Sequence, residues 1–498
     1  MNFPLINRAI TYQNRVAIVT SDHQYSYHEL LTTSAKIAAM LLGEKEDLQE
    51  TRVAFLVPSG FDYVAVQWGI WRAGAIAVPL CIAHPRPELA YAISEVGATI
   101  LIAHPQFADI ARSLATEYGC QLFLTSELET AQAPKETKHL PSIDPLRGAL
   151  ILFTSGTTGK PKGVVITHRN IEAQVTSLVE AWGWTKSDRI LHVLPLHHIH
   201  GIVNVLTCAL WVGAQCHMMP QFNAAAVWDK FTHSSVTLFM AVPTIYVKLI
   251  NHWQTQTPEQ QALMRAGAKK LRLMVSGSAA LPVTVLEQWR TITNHLLLER
   301  YGMTEIGMAL SNPLEGDRLA GFVGKPLPGV EARLVNDQGQ ITQQQGEIQI
   351  KGPHVFREYW QRPEATTEAF TPDGWFRTGD MAGIEGGNYR ILGRMSVDII
   401  KTGGYKVSAL EIEETLRTHP AINDCAVVGV PDEEWGERVC AGLILNPDYS
   451  EPITLASLRR WGKERLAVYK IPTQIAIVAD LPRNVMGKVT KPRVKKLF

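Results

Sequence analysis

Apolar and polar positions follow two rhythms along this chain, and the switching between them predicts most of its elements. Arg15 to Thr20 and Gln24 to Tyr27 alternate with period two around a Ser21-Asp22-His23 turn, which predicts a strand pair. Ser26 and Glu29 then stand at capping-box spacing before the amphipathic run HELLTTSAKIAAMLL, a helix. The strand RVAFLVP follows, then a helix from Asp62, strand AIAVPL, helix RPELAYAISEV and strand ATILIA. This alternation predicts an α/β unit with a largely parallel sheet. The polar, proline-rich TAQAPKETKHLPSIDP reads as a surface connection to a second α/β half, with strands in RILHVLPL, VTLFMAVP and LRLMVSGS. From about Gly321 the texture becomes short strands and turns: VEARLVNDQGQ, GEIQIKG, WFRTGD and YRILGR. After Arg394 comes a further compact unit with helix VSALEIEETLRTH, strands DCAVVGV and RVCAGLIL, and helix LASLRRWGKERL. Ser408 and Glu411 repeat the capping-box spacing there.

A length of 498 residues agrees with several such units rather than one core. The 48 Lys and Arg balance 47 Asp and Glu, which argues against a nucleic-acid binder. The 6 cysteines are scattered without a CxxC pair, as expected of inert thiols in a reducing compartment. The opening MNFPLINRAI shows neither an apolar signal core nor an Arg/Ser-rich presequence. The expectation is a cytoplasmic protein, or a mitochondrial one if a presequence has been removed. The apolar stretch FDYVAVQWGIWRAGAIAVPL carries Asp62, Gln67 and Arg72, with Gly74 where a helix would end, so no membrane span is expected.

The densest chemistry lies in LFTSGTTGKPKGV. An apolar strand delivers Thr154 into Ser155, Gly156, Thr157, Thr158, Gly159, Lys160, Pro161 and Lys162. Such a loop offers backbone N–H groups, hydroxyls and cations to phosphate oxygens, and its glycines permit close approach. It is not a GxxxxGK[ST] P-loop, because the glycine spacing is shorter and Pro161 follows Lys160.

SGTTGKPKG resembles the phosphate-binding signature of the acyl-CoA synthetase, peptide-synthetase adenylation-domain and luciferase superfamily. Further motifs of that family follow in order: LPLHHIHG at 194–201, YGMTE at 301–305, WFRTGD ending at Asp380, GR at 393–394, IKTGGYKV from Ile400, and PRNVMGK ending at Lys488. The resemblance implies a large N-terminal AMP-binding domain, residues 1–394, made of two α/β subdomains and a β-rich one. A small mobile α+β domain, residues 395–498, is implied after it. The implied co-substrates are ATP and CoA, with Mg²⁺ as cofactor and small molecules as the only partners. A monomer or weak homo-oligomer is expected.

Residue by residue, the resemblance assigns ATP to the loop at 154–162 and adenine to Gly277, Ser278 and Ala279, with Tyr301 stacking and Gly302 beside it. Asp380 is suited to the ribose hydroxyls and Arg394 to the same sugar. Thr304 would address the α-phosphate. Glu305, a hard oxygen ligand, would hold Mg²⁺ with Thr158. Lys488 would bridge the attacking carboxylate and the α-phosphate as charge develops. His198 would gate the acyl tunnel, although the crowding of His197, His198 and His200 also admits a metal reading. The small domain would rotate after pyrophosphate leaves and bring Gly403, Gly404 and Tyr405 to CoA. The linker departs from the family pattern: GRMSVD has Ser396 or Val397 where a charge is usual, and one extra residue.

Much of the middle resembles the malonyl-CoA synthetase branch: LHVLPLHHIHGIVN, AVPTIY, RLMVSGSAALP and ERYGMTE. Arg300 would then face the acyl site and pair with a second carboxylate, with Lys248, Ser278, Met303 and His200 around it. Lys248 supplies charge without a bidentate fork, so methylmalonate could also fit. The alternatives are a ligase for a short or medium monocarboxylic acid, an adenylating enzyme that loads a carrier protein, and an Arg300 that merely pairs with Glu299 or Glu305.

Overall fold

A computed structural model describes residues 4–130, 139–154, 160–449, 451–484 and 487–498. Among these residues the strands form four sheets. The first runs, in spatial order, Glu358–Tyr359, Lys162–Thr167, Gly148–Thr154, Ile76–Pro79, Arg52–Leu56, Ile100–Ala103 and Gln121–Leu124. Its strands from Gly148–Thr154 onward are parallel, and the two at the other edge are antiparallel. The second sheet has a parallel centre: Leu298–Met303, Leu273–Ser276, Leu238–Ala241, Arg189–His192, Gln215–Met218 and Val16–Val19. Antiparallel strands close both its edges.

Helices cover these sheets because their apolar faces leave no other stable place. Tyr27–Leu42 starts at the expected Ser26/Glu29 capping box. It crosses Phe61–Arg72 so closely that a β-carbon on Gly69 would lie 2.5 Å from Ile37 Cγ2. Gly74 takes a left-handed turn right after that second helix, as its position suggested. Aromatic residues fill the centre: Trp68, Trp71 and Trp182 in one core, and Trp228, Trp289 and Tyr246 in another.

The third sheet is antiparallel and contains Glu331–Val335, Gln345–Lys351, Phe376–Glu385 and Asn388–Arg394. Its register sets Asp380 opposite Arg394, fourteen residues apart in sequence. Beyond residues 395–398 comes the fourth sheet, with strands Ile399–Thr402, Tyr405–Ser408, Ile422–Asp432, Gly436–Leu445 and Gln474–Ile477. It has its own core around Ile412, Val427 and Leu458.

Three local expectations change. The Ser408 box forms only in part: Ser408 Oγ accepts from Glu411 N–H, while the Glu411 carboxylate turns to Lys470 Nζ at 2.6 Å. An ion pair across the small unit wins over a local cap. The last long helix ends early, at Leu455–Gly462. The histidine segment leads straight into a π-helix, His200–Thr207, rather than remaining a loop. Residues 131–138, within TAQAPKETKHLPSIDP, lie outside the described residues.

Candidate active site

The main cleft lies where the parallel strands of the second sheet end and the small unit faces them. Parallel sheets carry their ligand crevices at the carboxyl ends of the strands. Ser276 pairs with Glu299, so the chain leaves both strands side by side and sets residues 277–279 against 300–304. Ser278, Ala279, Arg300, Tyr301, Gly302, Met303, Thr304 and Glu305 all line the cleft.

Arg300 is the strongest electrostatic feature there. It is only 2% exposed and forms no ion pair among the described residues. Its Nη2 lies 3.4 Å from Ser278 Oγ, while Nε and Nη1 are buried without partners. Neither Glu299 nor Glu305 lies within ion-pair distance of it, although the neighbouring Glu299 carboxylate still favours its charged form. Burial pulls its guanidinium down to about 9, which still leaves it charged at neutral pH. Ser278 in turn meets His200 Nδ1 at 3.2 Å, and burial followed by the nearby Arg300 charge holds His200 well below its ordinary value. The guanidinium packs flat over Gly277, where a β-carbon would come within 2.4 Å of it.

Beside this lies a chain of polar contacts. Tyr301 donates to Asp380 Oδ2 at 2.6 Å, and Arg394 Nε donates to Asp380 Oδ1 at 2.9 Å. Glu305 Oε1 accepts from the Tyr359 hydroxyl at 2.9 Å, while Oε2 is buried with no partner. Desolvation raises the Glu305 carboxyl above its usual range. An orphaned, buried carboxylate oxygen facing a cleft fits a hard cation.

In the antiparallel pair on either side of residues 155–159, Thr154 faces Lys162. Ser155, Gly156, Thr157, Thr158 and Gly159 lie outside the described residues. Lys160 Nζ sits 5.6 Å from the Tyr91 ring centre and Lys162 Nζ 4.7 Å from that of Tyr359. Lys248 is exposed on the opposite wall, 5.8 Å from the Phe222 ring centre. His197 and His198 meet at a tilt of 50° with ring centres 4.0 Å apart, and burial takes their pKa values to about 2 and about 4. They are neutral rings in the cleft wall.

Lys488 is exposed on the small unit's side of the same cleft. Its turn closes through Gly487 N–H on Asn484 O and Lys488 N–H on Asn484 Oδ1. Gly487 has φ +76°, and a β-carbon there would lie 3.0 Å from Thr244 Oγ1 on the large part. Gly403, Gly404 and Tyr405 are not among the cleft-lining residues. The glycines, at φ +55° and +82°, form the two-residue turn of a hairpin, a local reason for both. Tyr405 is 56% exposed and stacks on Tyr469.

A family model described as AMP-binding enzyme matches residues 6–360, and one for the AMP-binding enzyme C-terminal domain matches 411–488. The chain belongs to the AMP-binding enzyme family. This AMP-binding enzyme is 46% identical to the mouse protein named malonate–CoA ligase ACSF3, mitochondrial, over 99% of this chain and 90% of that one. Among solved structures it resembles ATP-bound MatB from Rhodopseudomonas palustris, with a TM-score of 0.91, 31% identity, and 100% and 99% of the two chains covered. Apo MatB from the same organism, at 32% identity and the same coverage, gives 0.82.

Among the cleft residues of this AMP-binding enzyme that sequence reasoning did not assign to the site are Glu299, Tyr359, Asp398 and Lys491. None carries a local signal except Asp398, which ends the irregular GRMSVD. Glu299 is the most unusual. Its Oε1 accepts from Leu281 N–H and its Oε2 is orphaned. Desolvation, with a further push from Glu414 across the cleft, lifts it to about 8. The unfolded chain releases this proton in the ordinary carboxylate range, the folded chain only near 8. The stability is thus intact at acid pH and is lost as pH rises toward 8. Glu299→Gln is expected to raise the melting temperature at pH 8.5 and change it little at pH 5. Differential scanning calorimetry at both values checks this, and equal shifts would count against it.

Proposed function

We infer that this AMP-binding enzyme is an ATP-dependent acid–CoA ligase whose acid is malonate. The observation that carries the choice of acid is Arg300, a buried cation with two unpartnered guanidinium nitrogens on the cleft wall. An uncompensated buried charge is costly unless a ligand supplies the counter-charge. A dicarboxylate does so with the carboxylate that does not react. Ser278 and His200, already hydrogen-bonded beside Arg300, add polar partners for the same group.

In the first step an oxygen of the other carboxylate attacks the α-phosphorus of ATP. A P–O bond forms and pyrophosphate leaves with the electrons of the bond that breaks. In the second, the CoA sulfur attacks the acyl carbon and AMP leaves. Such transfers depend on positioning and charge neutralisation rather than a protein nucleophile. In this reading Asp380 and Arg394 hold the ribose, Gly277 to Ala279 and Tyr301 the adenine, Thr304 the α-phosphate, and the loop at 154–162 the remaining phosphates. Glu305 Oε2, with Thr158, would hold Mg²⁺, which supplies charge neutralisation at the phosphates. Lys488 reaches across the cleft to the oxygen between acid and phosphate. His198 acts as the gate, neutral at working pH.

We place the domain boundary at 394/395, so that the tip at Gly403, Gly404 and Tyr405 reaches CoA only after the small domain turns. Lys248, exposed and unforked, allows methylmalonate as a second acid. For the compartment we propose the cytoplasm. The mitochondrial location named for the mouse relative is the alternative that cell fractionation tests. No helix among the described residues is long and apolar enough to cross a membrane.

The test is CoA-dependent AMP release with acetate, propionate, malonate, methylmalonate, succinate and octanoate. Malonate is expected to exceed acetate by at least ~10-fold in kcat/KM, the worth of one charge-assisted contact. Acetate or octanoate matching malonate would overturn the acid assigned here. AMP release that needs a carrier protein instead of CoA would overturn the acceptor.

A further inference from the structure

We propose that Lys491 is a positioning residue for adenylation: through its ion pair with Asp398 it holds the Lys488 turn in the orientation that faces the nucleotide. The proposal rests on the adenylating activity inferred above, and its test separates the two.

Lys491 stands three residues after Lys488, at the start of the short helix Lys491–Val494. It is only 8% exposed, an unusual fate for a lysine. Its ammonium has three N–H donors and three acceptors: Glu413 Oε1 at 2.7 Å, Val427 O at 2.8 Å and Asp398 Oδ1 at 2.9 Å. Two of these belong to the small domain's own core. The third belongs to the linker.

Asp398 carries the contact onward. Its Oδ2 accepts from the Arg394 backbone N–H at 3.0 Å. Gly393 lets the two segments approach, since at φ +126° a β-carbon there would lie 2.4 Å from Asp398 Cβ. Arg394 in turn grips Asp380, and Asp380 accepts from Tyr301. A continuous polar path therefore runs from Tyr301 through Asp380, Arg394, Asp398 and Lys491 to the turn that bears Lys488. The groups that receive the nucleotide and the arm that acts on it are joined at one buried ion pair. Rotation of the small domain about residues 395–397 would carry Asp398 and Lys491 together away from the Arg394 N–H, so the Asp398–Arg394 hydrogen bond, with its carboxylate held in place by Lys491, biases the enzyme toward the orientation seen here.

The charges around the pair decide which variant is informative. Glu413 also faces Arg417, with Nη2 at 3.7 Å. Without Asp398's charge, Lys491 keeps Glu413 and Val427 O, so the small domain retains its core pairing. Without Lys491, Asp398 and Glu413 are left as neighbouring buried carboxylates, and the domain itself is at risk. Asp398→Asn is thus the decisive change, because it keeps the side-chain shape and an acceptor oxygen.

Two half-reactions are measured on the same full-length sample: ATP–pyrophosphate exchange with malonate, and thioester formation from supplied malonyl-adenylate and CoA. Asp398→Asn is expected to lower exchange by ~10-fold or more, the worth of one charge-assisted hydrogen bond, with thioester formation within about 3-fold of wild type. Loss of folded protein lowers both rates alike and cancels in their ratio. A changed ratio in favour of thioester formation supports the proposal, and an unchanged or reversed ratio overturns it. Lys491→Arg, which keeps the charge, is expected to sit nearer wild type than Lys491→Met in the same ratio. If wild type exchanges with an acid other than malonate, the ratio is taken with that acid and its adenylate. The choice of acid then fails by itself, while the role of Lys491 is still decided.

Discussion

Replacing Lys488 by Ala is expected to slow acyl-adenylate formation by ~10²–10³-fold, the usual loss when one donor aimed at developing charge is removed. Thioester formation from supplied acyl-adenylate should change by less than about 3-fold, because that step needs no cation at the α-phosphate. The reason lies in the site's balance of charge. Asp380 and Arg394 already pair with each other, and Arg300 sits deep beside Ser278, so neither cation is free for the reacting oxygens. Lys488 is exposed, follows Gly487 against Thr244, and lines the cleft with a long side chain free of ion pairs among the described residues. It is not part of the packing, so Ala should leave the melting temperature unchanged. Pyrophosphate exchange is the direct measurement. Exchange at the wild-type rate would remove Lys488 from the mechanism.

Arg300→Met should produce two effects of opposite sign. Use of malonate, as kcat/KM, is expected to fall by ~10²–10³-fold, the cost of breaking a buried charge-assisted contact. Use of acetate, which has no second carboxylate, should fall by less than about 3-fold. The melting temperature should rise, because an apolar chain of similar length replaces a buried cation with two unsatisfied guanidinium nitrogens. An arginine kept for the fold would behave in reverse, with stability lost and both acids affected alike. Equal losses on malonate and acetate would end the dicarboxylate reading.

How much of this was legible in the sequence depends on the range of the interaction. The α/β alternation, the Ser26/Glu29 cap and the β-rich stretch after Gly321 were all readable, because each rests on periodicity or on residues within one turn. The motifs at 194–201, 301–305 and 393–394, with Asp380 and Lys488, line the cleft, whereas Gly403, Gly404 and Tyr405 do not. Arg300 was visible as a cation in an unusual place, but its lack of a partner needed the burial around it. The pairing of Glu411 with Lys470 instead of the Ser408 cap spans 59 residues, and no local rule contains it. Asp398 and Lys491 lie 93 residues apart and meet only because the small domain closes on its linker. The π-helix His200–Thr207 was hidden because its hydrogen-bond spacing leaves no distinct side-chain period in HGIVNVLT.

The fit of the Arg300 guanidinium over Gly277 also limits the order in which this site can change. A side chain at 277 has no room while arginine remains at 300, since even one β-carbon would collide with it. Loss of the arginine opens the space, and a larger residue at 277 can then fill it and seal the pocket for an uncharged acid. The reverse order pushes the guanidinium off Gly277 into the cleft and away from Ser278. A lineage, or a designer, that moves this scaffold from diacids to monoacids is therefore expected to change position 300 first. Once 277 has been filled, the way back to diacids is closed until it is emptied again.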